Sequence, residues 1–313
     1  MSYKPPYTIT SKIVNLVSLI SEELTRIEYT NKTVLPKLRK VSRIKTLVGT
    51  LAIEGNSLDE KQVTAILEGK RVLAKYNEIA EVNGAINAYK ELENYQYDSL
   101  DDLLKAHKIM MQGIINDAGK FRNVNVAVGS HIAPKASIVP DLMSDLFTWL
   151  KNTQEHPLIK SSVFHYEFEF IHPFSDGNGR IGRLWQSLIL YNYKKVFSLL
   201  PIESIIKDNQ EKYYKAIQNS TDIGESTPFI EFMLEIILET IKNSVKSSEI
   251  SSVNTEDKIL NHIKENPNIT IKELAEILEL TTRAIEKQIA KLKKENKLKR
   301  VGSARKGYWQ IVE

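Results

Sequence analysis

The sequence predicts a mainly α-helical protein with one small β-hairpin and a separate C-terminal module. Three observations carry that expectation. Apolar residues recur at helical spacing through most of the 313 residues. One segment, 124–140, breaks that period: it alternates, carries β-branched residues and has Gly129 at its middle. A stretch rich in serine, 242–257, separates the body of the chain from a basic tail.

The helices follow in order. Residues 11–27 place apolar side chains at 13, 14, 16, 17, 19 and 20, and Ser11 is the expected cap. Residues 34–56 form a second helix that stops at Gly55-Asn56. Residues 57–69 begin with Ser57 and Glu60, a capping-box spacing, and stop at Gly69. Helical spacing continues over 77–95 and 100–115. After the hairpin it resumes at 141–152, 161–171, 179–195, 208–220 and 228–243.

Composition narrows the function. There is no cysteine, which excludes disulfides and thiolate metal sites and fits a reducing compartment. The N-terminus lacks the basic start and apolar core of a signal peptide. No run reaches the roughly 18 apolar residues of a membrane span. A soluble, cytoplasmic protein without membrane contact is expected. The net charge of +4 is too small to imply nucleic acid for the whole chain.

Residues 170–185, FIHPFSDGNGRIGRLW, concentrate the chemistry. Pro173 disfavours the α conformation at His172, so the preceding helix ends there and presents His172 at a corner. Gly177 and Gly179 permit positive φ and close backbone approach. From Gly179 the pattern is helical, so the loop feeds a helix N-terminus, where free N–H groups and the dipole favour an anion. Arg180 and Arg183 share a face of that helix and suit a polyphosphate. Asp176 offers one carboxylate of the kind that holds Mg²⁺ on a nucleotide. His172 can accept a proton near neutral pH. Gly177, Gly179 and Gly182 also match the dinucleotide fingerprint, but the helical surroundings lack its strand context, and no Gly-Lys-Ser/Thr completes a P-loop.

The stretch matches His-x-Phe-x-Asp-Gly-Asn-Gly-Arg-x-x-Arg at every specified position and so resembles the Fic domain. The resemblance implies a helical Fic fold with a β-hairpin flap, and transfer of AMP from ATP to a protein hydroxyl. It implies that His172 takes the proton of a Ser, Thr or Tyr hydroxyl and that Asp176 holds Mg²⁺. Asn178 and the backbone at Gly177 and Gly179 would form an anion hole, with Ile181 and Gly182 in the same turn. Arg180 and Arg183 would bind the outer phosphates, and Phe174 would be a buried anchor. Val128, Gly129, Ser130 and His131 resemble the flap segment lining the nucleotide. Residues 211–219 resemble the segment that contacts adenine, with Tyr213 or Tyr214 as the stacking candidate.

Thr50-x-x-x-Glu54-Gly55 resembles the inhibitory motif of Fic proteins with an N-terminal inhibitory helix. A Glu at a helix end can pair with an Arg, and a Glu54–Arg183 pair would deny Arg183 to the γ-phosphate. The resemblance extends to removal of AMP from a modified target.

Residues 256–313 resemble a winged helix-turn-helix. Thr270 caps its second helix, which is expected to bury Leu274, Ile277 and Leu278. Residues 281–297 form the recognition helix, with Ile285, Ile289 and Leu292 inward, and 298–312 the wing. Residues 281–313 hold ten Lys/Arg and three Glu, 10 − 3 = +7, the footprint of duplex binding.

The expected division is an N-terminal helical region 1–115 with its inhibitory helix around 45–56, a Fic catalytic core 116–245, a linker 246–255 and a winged helix 256–313. The expected partners are Mg²⁺-ATP, a target protein along the flap 124–140, the chain itself as self-modified substrate or homodimer, and duplex DNA through 281–310. Two alternatives stay open: a nucleotide-sensing DNA-binding regulator, and a Fic transferase with another nucleotide donor.

Overall fold

The computed structural model describes residues 3–30, 35–128, 131–278, 280–302 and 307–312, with backbone alone at 28–30, 35–38, 128, 131 and 245–254. The chain divides into two compact units, residues 1–26 with 37–241 and residues 27–36 with 242–313. The helices are α1 Ser11–Thr30, α2 Leu35–Ile53, α3 Glu60–Leu67, α4 Tyr76–Lys90, α5 Leu100–Met111, α6 Val139–Asn152, α7 Pro157–Ile171, α8 Asn178–Tyr193, α9 Ile202–Asp208, α10 Gln210–Ile223, α11 Thr227–Glu265, α12 Ile271–Ile277 and α13 Thr282–Lys294. Strands β1 Ala127–Val128 and β2 His131–Ile132 pair antiparallel, Ala127 opposite Ile132 and Val128 opposite His131. Strands β3 Leu298–Val301 and β4 Tyr308–Ile311 form a second antiparallel pair.

The α7–α8 pair is the centre of the first unit. α7 is buried nearly all round, which is the pattern of a helix that runs through a core. Leu158, Val163, Phe164 and Phe168 have no exposure, and fully burying such side chains stabilises by about 1.5–3 kcal/mol each. Ser161 and Ser162 are tolerated inside because their hydroxyls donate back to the Leu158 carbonyl. α8 answers with Ile181, Leu184, Trp185 and Leu188, also without exposure. The Trp185 indole donates to the Tyr97 carbonyl at 2.8 Å.

Local signals explain where the helices start, and some differ from expectation. α7 begins at Pro157, ahead of 161, because a proline suits the first turn and the His156 ring accepts the Leu158 N–H. Thr10, not Ser11, caps α1 by accepting the Ile13 N–H. Asp59 with Gln62 forms the capping box of α3; Ser57 instead donates to Glu78 at 2.7 Å. The largest correction concerns 246–255: one helix, α11, runs through the expected linker. Serines weaken a helix only slightly, and the stretch has no Gly or Pro to break it.

In the second unit Ile259, Ile263, Leu274, Ile285, Ile289, Leu292, Leu298 and Trp309 make one apolar core. Thr270 caps α12 in a capping box with Glu273, and Thr281 caps α13. Ile277 is corrected: it is 52% exposed, at the outer edge of the short α12. The Trp309 indole donates to the Ile269 carbonyl at 3.0 Å and so ties the strand pair to the turn before α12.

Candidate active site

The site is built at the corner between α7 and α8. His172 ends α7 in the left-handed region, φ 50°, a conformation that costs energy in a residue other than glycine. Surrounding contacts hold it there. The His172 N–H donates to Phe168, and its carbonyl accepts Arg122 Nε at 2.8 Å. The Arg122 guanidinium, 2% exposed, also donates to the carbonyls of Ile171, Val124 and Pro134. It therefore ties the end of α7 to both legs of the flap. Phe174 is fully buried and stacks on His107, with ring centroids 3.6 Å apart. His107 accepts the Gly119 N–H at Nδ1, which leaves Nε2–H to donate to the Asp176 carbonyl at 2.9 Å. Burial pushes this imidazole down to about 4, so it holds the loop as a neutral ring.

The loop itself is braced from within. The Asn178 amide both accepts from the Phe174 N–H and donates to the Phe174 carbonyl, each at 2.9 Å. The Asn178 side chain thus closes the turn with its carbonyl oxygen and one of its two amide N–H donors. Gly177 sits at φ 85°, and its N–H donates to Asp176 Oδ1 at 2.6 Å. Asp176 remains half exposed and also accepts from Arg180 at 3.1 Å. The first-turn N–H groups of α8, at Asn178, Gly179 and Arg180, have no acceptor within the helix. Ile181 is different: its N–H donates to Gly177 and its side chain lies in the core.

The two arginines are not equivalent. Arg183, 2% exposed, donates from Nε to Thr50 Oγ1 at 3.0 Å, and from Nη2 to the Thr50 carbonyl at 3.1 Å and Glu54 Oε1 at 2.6 Å. Burial opposes its charge, but Glu54 and the more distant Glu169 together hold the pKa raised. Arg180 is equally buried, yet its Nε and Nη1 have no hydrogen-bond partner, with Glu81 3.6 Å away. Two buried guanidinium donors without acceptors are costly unless a ligand takes them.

Glu54 reaches Arg183 because α2 stops in a Schellman turn. The Asn56 N–H donates to Leu51 and the Gly55 N–H to Ala52, with Gly55 at φ 89°. A Cβ at Gly179 would lie 2.5 Å from Glu54 Oε1, so the carboxylate rests directly against the first turn of α8. It occupies the position that the helix N-terminus would offer to an anion.

The remaining expected residues divide. Val128 and His131 pair through their backbones in the flap, whereas Gly129 and Ser130 lie outside the described residues. Tyr213 is corrected: it is 1% exposed, its hydroxyl is bonded to His165, and its ring packs against Phe229 and Phe232. It belongs to the core. Its neighbour Tyr214 stays 49% exposed, beside the end of α2. Gly182 backs the site, since a Cβ there would meet Glu169 Oε1 at 2.9 Å and the His165 ring at 3.0 Å.

Four residues beyond the motif emerged only in three dimensions: His107, Arg122, Glu81 and Glu169. The first three come from distant segments and carry no local signal. Glu169 had one, because position 169 shares the last-turn face of α7 with His172.

A metal fits here only in company. Among the described residues no three His, Asp or Glu side chains gather into a cation site. Asp176 is a single half-exposed carboxylate, which suits Mg²⁺ carried by the phosphates of a nucleotide. The corner can thus accept a proton, receive an anion and neutralise its charge.

The chain is similar to known proteins. A family model described as Fic/DOC matches residues 97–190, and one described as an HTH domain matches 255–308. A Fic family protein from Desulfovibrio desulfuricans G20 superposes with a TM-score of 0.75 and 38% identity, covering 99% of this chain and 98% of that one. Protein adenylyltransferase Fic from Culex quinquefasciatus is 32% identical over 219 residues, 66% of this chain and 42% of that protein. Protein adenylyltransferase fic-1 from Caenorhabditis briggsae is 26% identical over 290 residues, 88% of this chain and 54% of that protein. The chain spans about half the length of the curated relatives it matches. No helix of the described residues is long and apolar enough to cross a membrane.

Proposed function

The chain belongs to the Fic family, and from that premise we propose that it transfers AMP from ATP to hydroxyl groups of proteins and is held inhibited by Glu54. The observation that carries this reading is the pair of buried arginines on α8. Arg180 has Nε and Nη1 buried without a hydrogen-bond acceptor, Nη1 lying 3.6 Å from Glu81, and Arg183 is closed off by Glu54 at 2.6 Å.

In the reaction His172 takes the proton of the attacking hydroxyl. The new bond joins that oxygen to the α-phosphorus, and the bond to the β-phosphate oxygen breaks, releasing pyrophosphate. Arg180, the first-turn N–H groups of α8 and, once Glu54 has withdrawn, Arg183 hold the outer phosphates. Asp176 would hold Mg²⁺, which supplies charge neutralisation on the phosphates. Such transfer depends on positioning and electrostatics more than on covalent chemistry. The flap suits an extended target segment, with Val124 56% and Ile132 82% exposed. The same Glu54 fits removal of AMP from a modified target, a reaction that His172→Ala would test alongside transfer.

Labelled ATP with Mg²⁺ tests the reading. Glu54→Gly is expected to raise labelling of the chain and of added proteins, and His172→Ala to lower it by about 10²–10⁴-fold, the range of general-base catalysis. Equal labelling by the parent and Glu54→Gly would remove the brake. Labelling with another nucleotide in place of ATP would change the donor alone.

A second activity is duplex DNA binding by the HTH domain, favoured by Arg283, Lys287 and Lys294 on exposed positions of α13. A duplex mobility shift at low salt that fades steeply as salt rises is expected; no shift at low salt would remove this reading.

A further inference from the structure

Glu169 is a buried acid at the centre of the site without a hydrogen-bond role there. Its side chain is 11% exposed. Oε2 lies 3.9 Å from His172 Nδ1, and Oε1 lies 3.8 Å from His165 Nε2 and has no hydrogen-bond partner. Leaving a carboxyl oxygen in this state costs free energy that an isosteric apolar residue would avoid. Gly182 is shaped around it, because any side chain there would strike Oε1 and the His165 ring. His165 cannot be the charged partner. Its Nδ1 meets Gln186 at 2.6 Å and its Nε2 meets Tyr213, and burial pushes it down to about 3.

We propose that Glu169 is a positioning residue for His172: its carboxylate orients the imidazole through Nδ1 and balances the charge His172 gains when it takes the hydroxyl proton. This rests on the transferase reading above. A 3.9 Å separation is not a hydrogen bond, but last-turn side chains three residues apart on one helix face can close it by rotation. Base-to-orienter contacts are often long before substrate is bound. With a carboxylate facing Nδ1–H, the other ring nitrogen is left as the base; with a protonated carboxyl the opposite tautomer is favoured.

The groups facing Glu169 are His165 and His172 on its own helix, Arg183 on α8, the Tyr213 hydroxyl on α10 and Glu54 at the end of α2. Burial pushes Glu169 up to about 8; Arg183 pulls it down and Glu54 pushes it up. Removing Glu54 therefore favours the ionised form that orients His172.

The experiment uses the full chain in a Glu54→Gly background. Glu169→Gln is expected to lower kcat for self-labelling roughly 10–100-fold while KM and the calorimetric Kd for Mg²⁺-ATP stay within twofold, and Glu169→Asp to retain more activity than Gln. In the Glu54→Gly background kcat is expected to rise with pH through the carboxyl titration, and Glu169→Gln to lose that rise. An unchanged kcat and profile in Glu169→Gln would overturn the proposal, as would a loss of nucleotide binding equal to the loss of rate. If Glu54→Gly itself does not transfer AMP, the transferase reading has failed. The His172 ring resonances then still decide whether the pair exists: they follow the titration of a second group in the parent, and a single step there would overturn the inference by itself.

Discussion

Arg183 and Lys297 each meet a carboxylate at nearly the same distance, 2.6 Å to Glu54 and 2.8 Å to Glu295. Their surroundings differ completely. The Arg183 side chain is 1% exposed within the first unit, beneath α2, whereas the Lys297 side chain is 55% exposed at the end of the helix-turn-helix. A buried guanidinium has lost its water and depends on whatever replaces it. An exposed ammonium keeps its water and gains little from a partner. The contact distance therefore says little about what a pair contributes; the exposure of its members decides. In this molecule the buried pair is also the proposed switch. Stability is concentrated where the proposed function requires a bond to open.

The largest expected effect follows from breaking that buried pair. Glu54→Gly leaves Arg183 with Thr50 alone. Loss of one partner of a buried pair costs about 3–5 kcal/mol, and the 28% exposure of Glu54 reduces this to about 2–3 kcal/mol. Glu54→Gly should therefore unfold at a lower temperature than the parent by scanning calorimetry, and Mg²⁺-ATP should restore it more than it stabilises the parent. A Glu54→Gly variant as stable as the parent would mean that Thr50 alone satisfies Arg183.

A second buried acid sharpens the contrast through pH. Glu167 on α7 is 4% exposed and accepts from the Tyr3 hydroxyl at 2.7 Å. Burial pushes it from 4.5 up to about 7, against the pull of the Tyr3 bond. A group with a raised folded pKa contributes stability that is complete below its unfolded value and is lost as pH rises through the folded one. The loss falls between 4.5 and about 7 and is on the order of 2–3 kcal/mol at full ionisation. Between pH 5 and 8 the parent should lose more stability than Glu167→Gln. Parallel curves for the two would show that Glu167 ionises in the fold as it does in water.

These groups also mark how far the sequence could be read. The corner was legible because its chemistry is local. Pro173 stops α7, glycines allow the turn, and helical spacing aligns Arg180 with Arg183, all within twelve residues. Glu54 was legible through a second short pattern, and the Schellman turn at Gly55 is what puts it within reach. Arg122 and His107 were not, because the partners that tie them to the corner are the His172 and Asp176 carbonyls, 50 and 69 residues away in sequence, and a carbonyl has no identity to read. Tyr213 shows the opposite limit. Its spacing on α10 did not reveal which of two adjacent tyrosines faces the core. Residues 246–255 misled through composition, since serine weakens a helix without ending it.

The smallest effect tests the other side of the comparison. Lys297→Ala removes the pair with Glu295 at the end of the helix-turn-helix. Glu295 is drawn below its usual range, by the hydrogen bond from Lys297 first and by Lys291 as well. Both members of the pair are solvated, so water replaces the lost contact, and the unfolding of the second unit should not move measurably at low or high salt. The same alanine subtracts one cation from the proposed DNA-binding region, so the salt dependence of duplex binding should become shallower by about one counterion if that side chain meets a phosphate. A shift in unfolding with no change in the salt slope would reverse both assignments, making Lys297 a structural cation and removing it from the nucleic-acid face.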